Sequence, residues 1–548
     1  MSFYKRRPDI VIKNGTIVDG YGTMPYKADI AIVGDTIDYI GNLQDVSAPC
    51  VIDATGKYIT PGFIDSHTHS DFTIWSVPTC DSAVYQGVTT EIVGNCGFCQ
   101  DHTLNGIPFD EAGDSVSCIY DMEKGSFRPG AIAAVLDKME AMGASINTAW
   151  MCGHNGIREM AGLYTPEYTE EQFATMAAIL REALEAGYIG FSTGLEFPPG
   201  VVSHPEEIER LVQIVAEYDG NYSSHMRDEG TYLFEAIEEF LNAVRKSGVR
   251  GTISHLNVKY DNGIPNEYLQ KSMDMLKAAR RDEHLDVMCD MLPTCFATGM
   301  TLAMLPSWVY ADGWDEARRI MGTEEGRARI KADFNRYWRF LDAGEWDRLL
   351  YVQPKYWTEI GSKPFMELAK EWGKEPFDCF IDIVAAAPTL ADAQTLEMQG
   401  IVFHEQTMVD SVVTAPIYMW MTDSRVTVEE GALASRTANV QNYMSMAYFF
   451  TRYVRELGAI SIEKAVQKAT SIPAKYYRLK KRGLLEEGYY ADINVFDLDA
   501  LKINAEFSNP CRFASGMDYV IVNGVPVIAD GKHTGARSGK VLRHLPKK

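Results

Sequence analysis

The chain has 548 residues, of which 46% are hydrophobic and 23% are charged, the ordinary balance of a globular protein large enough for more than one folding unit. No apolar run approaches the roughly 18 residues that cross a bilayer. The formal net charge of −23 argues against nucleic acid as a partner, because phosphates are bound by clustered Lys and Arg. We expect a cytoplasmic protein, since the N-terminal residues show no signal-peptide pattern and the ten cysteines show no disulfide spacing.

Both ends of the chain carry short strand patterns separated by turn signals. Residues 9–58 contain strand-like runs such as 29–33. Residues 480–548 show the same style, for example at 492–496. The two ends, 1–58 and 480–548, therefore predict one small β domain assembled from both termini.

The middle of the chain, residues 59–479, alternates strand-like and helix-like segments, which is the pattern of parallel βα units. A helix is predicted over 170–186, where apolar residues recur with helical spacing. Eight strands are predicted, and eight is the number that closes a TIM barrel, so we predict an α/β fold of this type. The predicted strands are 59–67, 88–93, 146–152, 188–193, 221–225, 251–255, 285–289 and 417–422.

A long segment separates the seventh and eighth predicted strands. Residues 291–410 are predicted to be a helical insertion rich in Trp, Tyr and charge. Because the sites of such barrels lie at the carboxyl ends of the strands, an insertion at this point is placed to form a lid. A peripheral helical subdomain or an oligomer contact is the alternative.

Metal-ligand side chains follow several of the predicted strands. His67 and His69 are two residues apart at the end of the first strand, so both imidazoles point to one side. Side chains at the carboxyl ends of barrel strands meet at one mouth, so four histidines, one cysteine and one aspartate are predicted to converge there. The six residues are His67, His69, Cys96, His225, His255 and Asp423.

These residue types suit two divalent ions. The first predicted ligand set is His67, His69 and Asp423, and the second, in which a thiolate favours zinc, is Cys96, His225 and His255. An ion in either position lowers the pKa of its bound water towards about 7. Asp423 is placed to accept the water's proton and to deliver it to the leaving nitrogen. The opposing interpretation is that each residue merely satisfies backbone groups at a strand end.

Seven motifs, spread over almost the whole chain, resemble those of the D-aminoacylase (N-acyl-D-amino-acid deacylase) family within the amidohydrolase superfamily. They are PGFIDSHTH (61–69), GNCG (94–97), CGHNGIR (152–158), GFSTGLEFPPG (190–200), HMRDE (225–229), TDS (422–424) and GLLEEGYYAD (483–492). The cysteine ligand distinguishes this family from relatives that use a carboxylated lysine. The resemblance implies a TIM barrel flanked by a β-sandwich, a zinc site that uses the cysteine and two histidines, an often weaker second metal position, and hydrolysis of an amide bond.

The chain departs from the family at three positions that grip the substrate carboxylate. The family's lysine is replaced by Asn257, with Lys259 as the nearest lysine, and its tyrosine is replaced by Thr294. The family's His-Pro-Arg run is absent, and the arginine of that region is Arg436. A buried carboxylate must be paired. Either Lys259 and Arg436 reach it from shifted positions, or the substrate differs from an ordinary N-acyl-D-amino acid.

Three further residues lie near the predicted mouth by strand order. His154, Arg227 and Glu196 are candidates for substrate contact, although Arg227 is better suited to orienting a ligand, and Glu196 can take either role.

The leading prediction is a zinc-dependent hydrolase of linear amides that acts on a small molecule and binds neither nucleic acid nor a membrane. The alternative enzyme opens cyclic amides such as hydantoins, lactams or imides, which suits a pocket without a carboxylate clamp. A non-catalytic scaffold is the remaining alternative, but it has no chemical need for six ligands. The sequence leaves the oligomeric state open, with a homo-oligomer among the options.

Overall fold

The computed structural model describes residues 6–98, 120–121, 126–127, 131–256, 265–333, 338–352, 363–394, 396–402, 405–436 and 438–544. Within these ranges no helix has the length and apolar character needed to cross a membrane.

Eight parallel strands form the central sheet and follow one another in chain order around it. Asn147 in the third strand lies opposite Thr90 in the second, and Met151 in the third lies opposite Gly190 in the fourth. The predicted α/β barrel is therefore confirmed. The strands, numbered one to eight in this order, are Phe63–Asp65, Val88–Val93, Asn147–Gly153, Gly190–Gly194, Asn221–His225, Arg250–Ile253, Val287–Met291 and Tyr418–Trp420.

The barrel is closed between strand one and strand eight by residues just beyond the ends of these strands. The Asp423 backbone N–H donates to the His67 carbonyl at 3.1 Å, and the His69 N–H donates to the Ser424 carbonyl at 2.8 Å. We call this contact the seam.

The first predicted strand, 59–67, consists of two strands in the structure. Tyr58–Pro61 pairs with a C-terminal strand outside the barrel, whereas Phe63–Asp65 pairs with strand two. Gly62 lies between them, and a Cβ at this position would come within 2.2 Å of the Thr89 hydroxyl. The chain can pass from one sheet to the other here because residue 62 has no side chain.

Helices surround the barrel, and Glu170–Ala186 has the predicted bounds. Thr169 and Gln172 form a capping box at its start, and Gly187 ends it in the left-handed region with a φ of 109°. The other helices of this layer are Asp81–Val84, Ala131–Met142, His154–Met160, Pro205–Glu217, Leu233–Ser247, Pro265–Asp282, Gly431–Arg436, Gln441–Tyr448, Ile462–Ala469 and Ser471–Tyr476, with a π-helix at Phe449–Glu456 and short 3-10 turns at Ser70–Phe72 and Gly200–Val202.

Two sheets form the β part of the molecule, and residues from both ends of the chain share one core between them, including Ile12, Ile30, Ile59, Ile493 and Ile521. The four-stranded sheet has the order Thr36–Gly41, Asp29–Val33, Ile10–Lys13, Cys50–Asp53. The seven-stranded sheet has the order Lys532–His533, Val525–Ala529, Met517–Val522, Ile493–Phe496, Tyr58–Pro61, Thr16–Ile17, Tyr26–Lys27. A separate pair of short strands is Tyr120–Asp121 and Ser126–Phe127.

The segment between strands seven and eight contains helices and also a sheet, which we call the insertion sheet. Its strands are Phe296–Met300, Glu397–Ile401, Leu349–Val352 and Lys363–Pro364, in that order. The prediction of a helical insertion missed them because Gly299 and Gly400 interrupt the strand pattern. Both glycines face the Trp338 ring, which a Cβ would meet at 2.4 Å and 2.7 Å. The helices of this segment are Trp314–Met321, Glu324–Ala332, Arg339–Asp342, Phe365–Trp372, Pro376–Ala385, Leu390–Gln394 and Glu405–Thr407, with a π-helix at Met408–Val412 and 3-10 turns at Thr301–Met304, Ser307–Val309 and Trp346–Arg348.

Candidate metal centre

The six predicted ligands lie together at the carboxyl ends of the barrel strands. One group is formed by His67, His69, Cys96 and Asp423, whose potential ligand atoms all lie within 4.8 Å of one another. The His69 Nε2 and His67 Nε2 atoms lie 3.1 Å and 3.4 Å from Asp423 Oδ1. The Cys96 Sγ atom lies 3.3 Å from His67 Nε2. We call these four residues the first donor group.

A second donor group consists of Cys96, His225 and His255, again with all donor atoms within 4.8 Å. The His255 Nε2 atom lies 3.4 Å from Cys96 Sγ and 3.0 Å from His225 Nδ1. Cys96 thus belongs to both groups, whereas the sequence placed it in the second alone. Its sulfur is thus placed within reach of the donor atoms of both groups.

Three of these residues have a left-handed backbone. The φ angles are 52° at Cys96, 37° at His255 and 52° at Asp423. Such angles are uncommon outside glycine and cost about 1–3 kcal/mol each, so they persist where the surrounding structure enforces them, often at functional sites. Here each one follows the end of a barrel strand.

Buried carboxylates contact the outer nitrogens of the imidazoles. Glu229 Oε1 lies 2.8 Å from His255 Nδ1, and Glu196 Oε2 lies 2.8 Å from His225 Nε2. The third carboxylate, Asp290 in strand seven, lies 3.5 Å from His67 Nδ1 and also accepts the His255 backbone N–H at 2.6 Å. Carboxylates in such positions hold the tautomer and ring orientation of metal-binding histidines.

Glu229 and Asp290 were not assigned a role from the sequence. Glu229 ends the HMRDE motif, which could have drawn attention to it, and Asp290 is the penultimate residue of strand seven. Glu196, predicted to contact the substrate or a ligand, lies against the ligand candidate His225.

The donor set fits a cation on chemical grounds. The Glu196 carboxylate is hydrogen-bonded to the outer nitrogen of His225, and the Glu229 carboxylate lies 2.8 Å from the outer nitrogen of His255, so each ring in its neutral, metal-binding form would carry its lone pair on the inner nitrogen. These two nitrogens face each other at 3.0 Å and face the Cys96 sulfur. Two imidazole nitrogens and a sulfur so close together suit a shared positive charge, which protons on the rings supply in the absence of a metal and a bound cation would supply in its presence. Cysteine and histidine together are a typical zinc donor set.

Electrostatics favours the ionised forms of the two acidic donors. Burial raises the pKa of Cys96, but the facing charges of His67 and His255 outweigh burial and hold the pKa well below its ordinary value. Burial also raises the pKa of Asp423, and the hydrogen bonds from His67 and His69 lower it well below its ordinary value. A thiolate and a carboxylate are the forms that bind metal ions.

The structure does not bring every predicted contact residue to the donor groups. His154 is fully buried, with its Nε2 atom 2.7 Å from Glu207 Oε1. Arg227 donates to both oxygens of Glu239, at 2.9 Å and 2.8 Å, and to the Val201 carbonyl.

The structure describes only some of the positions that correspond to the family's carboxylate-binding residues. Thr294 is buried, and its hydroxyl donates to the Phe296 carbonyl at 2.8 Å. Asn257 and Lys259 lie outside the described residues. Arg436 ends the helix Gly431–Arg436, and its side chain is outside the described part of the chain.

A barrel whose mouth gathers imidazoles, a thiolate and a carboxylate around a cation position defines a metal-dependent hydrolase. The profile of the amidohydrolase family matches residues 50–219 and 390–528. A D-aminoacylase from Alcaligenes xylosoxydans xylosoxydans is 30% identical over 537 residues, which cover 97% of each protein. The chain therefore belongs to the amidohydrolase family, in its D-aminoacylase branch.

Solved structures agree with this assignment. A D-aminoacylase structure with a binuclear metal center superposes with a TM-score of 0.78 at 26% identity, covering 98% of this chain and 99% of that one. The N-acyl-D-glutamate deacylase from Bordetella bronchiseptica, complexed with zinc and a phosphonate inhibitor, gives the same TM-score at 25% identity and covers 98% of this chain and 100% of that one. Family membership makes this protein a metal-dependent amide hydrolase, as predicted.

Proposed function

We propose that this protein hydrolyses the acyl amide bond of N-acyl-D-amino acids with zinc at the carboxyl end of the barrel. The observation that carries the proposal is the pair of donor groups that share Cys96, with the Asp423 carboxylate 3.1 Å from His69 Nε2. Full-length similarity to D-aminoacylase supports this substrate class.

The proposed tight zinc ligands are Cys96, His225 and His255. His67, His69 and Asp423 would hold a second ion, with the Cys96 thiolate facing both positions. Bound zinc supplies electrophilic polarisation of the substrate carbonyl and lowers the pKa of water towards about 7. Glu229 and Glu196 hold the imidazoles of His255 and His225 with their inner nitrogens facing Cys96, so the rings need not reorient to bind zinc.

Asp423 is the proposed proton carrier. Its low pKa keeps the carboxylate ionised at neutral pH, ready to accept a proton at Oδ1 or Oδ2. Returning that proton to the nitrogen turns a poor leaving group into a neutral amine. The left-handed backbone of Asp423 points the carboxylate at His67 and His69 on the opposite side of the seam.

Substrate contacts differ from those first expected. Lys259 and Arg436 stay proposed contacts for the substrate carboxylate. Arg227, His154 and Glu196 are each engaged by a protein partner, so we propose that they act by fixing neighbouring groups rather than by touching the substrate.

The domain division supports the same scheme. We propose that residues 59–479 form the hydrolase barrel and that 1–58 with 480–548 form the β-sandwich. In this division 291–410 is an insertion that covers the barrel mouth.

The test is acetate and free-amine release by zinc-loaded protein from a panel of N-acetyl-D-amino acids, with the N-acetyl-L forms as controls. We expect release from D forms and a much slower reaction with L forms. Asp423→Asn protein with its zinc content measured is the matched control, and it should be inactive. No release by wild-type protein that holds zinc would contradict the proposal and direct the search to hydantoin-, lactam- and imide-like rings.

A further inference from the structure

Arg425 is a partly exposed cation immediately beyond the donor groups. It follows Asp423 by two residues, in the loop after strand eight, and its side chain is 29% exposed. Its guanidinium carbon lies 6.0 Å from the centre of the Phe72 ring, and that ring centre lies 6.3 Å from the centre of the His69 ring. The guanidinium carbon therefore lies at most about 12.3 Å from the centre of the His69 ring, which belongs to the first donor group.

The arginine is held from two directions. Its backbone N–H donates to the side-chain oxygen of Asn442 at 2.9 Å. Its Nη2 donates to Glu397 Oε1 at 2.8 Å, and Glu397 begins a strand of the insertion sheet. The backbone of Arg425 is thus fixed by the helix Gln441–Tyr448, and its guanidinium is oriented by the insertion.

This orientation leaves hydrogen-bonding capacity unused. A guanidinium presents five N–H donors in one plane, and Glu397 takes one of them. Across the described ranges, Nε and Nη1 of Arg425 have no hydrogen-bond partner. An arginine side chain is always cationic in a protein.

We propose that Arg425 binds the carboxylate of the substrate and that Glu397 is the positioning residue for it. The inference rests on the proposed function and deepens it. In an N-acyl amino acid the carboxylate carbon is two covalent bonds from the scissile nitrogen. Its receptor must therefore lie near the donor groups, and among the described residues Arg425 is a cation in their vicinity with donors left over. Planar paired donation from Arg suits a carboxylate.

The competing explanation is that the Arg425–Glu397 ion pair only fastens the insertion to the rim of the barrel. The two roles predict different dependence on substrate charge. If Arg425 binds the substrate carboxylate, its loss weakens binding of the acid but not of the uncharged analogue. If the ion pair is only structural, its loss changes the kinetics of both substrates alike.

The experiment compares zinc-loaded wild type, Arg425→Ala, Arg425→Lys and Glu397→Gln on an N-acetyl-D-amino acid and on its carboxamide. Acetate release measures cleavage of the same bond in both. Arg452→Ala is the matched control, because Arg452 is 33% exposed and pairs with Glu405 of the insertion at 2.7 Å. Zinc content is measured for every variant.

We expect Arg425→Ala to raise KM for the acid by about 10- to 100-fold, the usual loss for a charged hydrogen-bonded pair, with little change in kcat. The carboxamide should react equally with wild type and variant, so the preference for the acid should shrink by the same factor, and Lys259 and Arg436 would account for the preference that remains. Arg425→Lys should retain part of the preference, Glu397→Gln should lose a smaller part, and Arg452→Ala should lose none.

Equal losses on acid and carboxamide, or an unchanged KM for the acid, would overturn the role of Arg425 while leaving the proposed function intact. Zinc-loaded wild type that cleaves no N-acetyl-D-amino acid would overturn the proposed function and this inference with it.

Discussion

Replacement of Glu229 by Gln tests whether the carboxylates behind the imidazoles tune the metal centre. Glu229 is fully buried, and its Oε1 atom lies 2.8 Å from His255 Nδ1. Gln keeps the size of the side chain and can still accept a hydrogen bond, so the change removes chiefly the negative charge. Loss of such a partner typically lowers metal affinity about 10- to 100-fold, or about 1.4–2.7 kcal/mol. We expect a loss in this range for zinc, because His255 becomes a weaker base.

The assay is competition for zinc with a chromophoric chelator near neutral pH. Glu217→Gln is the matched control, since Glu217 pairs with Arg181 at 2.6 Å on the surface, where its side chain is 47% exposed. The control should bind zinc as wild type does, because exposed pairs contribute little. A Glu229→Gln protein whose zinc affinity stays within about twofold of both would refute the reasoning that buried carboxylates set ligand strength.

Three further predictions concern single positions. Asp423→Asn should keep zinc at the second donor group and lose about 100-fold or more in kcat, because proton transfer is removed; normal turnover would exclude Asp423 as the proton carrier. Gly97→Ala should lower both Tm and zinc content, since its φ is 74° and its Cβ would lie 2.6 Å from the Gly194 nitrogen; Gly344→Ala, with a φ of 81° and open space around it, is the control and should leave zinc content unchanged. Burial, and then the charge of a neighbouring aspartate, raises the pKa of Glu91 from 4.5 to about 8. The folded state therefore loses stability as the pH rises between these values, so Glu91→Gln should gain Tm over wild type near pH 8 and not near pH 5; a pH-independent difference would contradict this assignment.

The convergence of the six candidate ligands could be predicted from the sequence because strand ends and barrel topology decide where these side chains lie. A histidine pair spaced two apart, as in His67 and His69, projects both side chains to the same side at the tip of a strand. The carboxylates behind the imidazoles could not be predicted in this way. Asp290 reaches His67 and His255 across the barrel, and that proximity depends on how three strands approach one another rather than on any local spacing.

Two features of the fold could not be predicted from sequence patterns because they too depend on tertiary contacts. The break lies at Gly62 because a Cβ at this position would collide with Thr89, a constraint that arises only when the two sheets are assembled. The insertion sheet contains two glycines that leave room for the Trp338 ring. Because glycine weakens a strand pattern, local periodicity does not identify these segments as strands. In both cases tertiary contacts override the local pattern.

The seam links completion of the first donor group to the order in which the chain is synthesised. Its hydrogen bonds run from Asp423 to His67 and from His69 to Ser424, so residues of the first donor group are also the residues that join the earliest barrel strand to the last. Contacts of such large sequence separation form late, because the loop between them must be closed first. During synthesis, a chain that has not yet emerged beyond strand eight lacks Asp423 and an intact first donor group. On the role proposed for Asp423, such a chain would lack the proton carrier needed for hydrolysis.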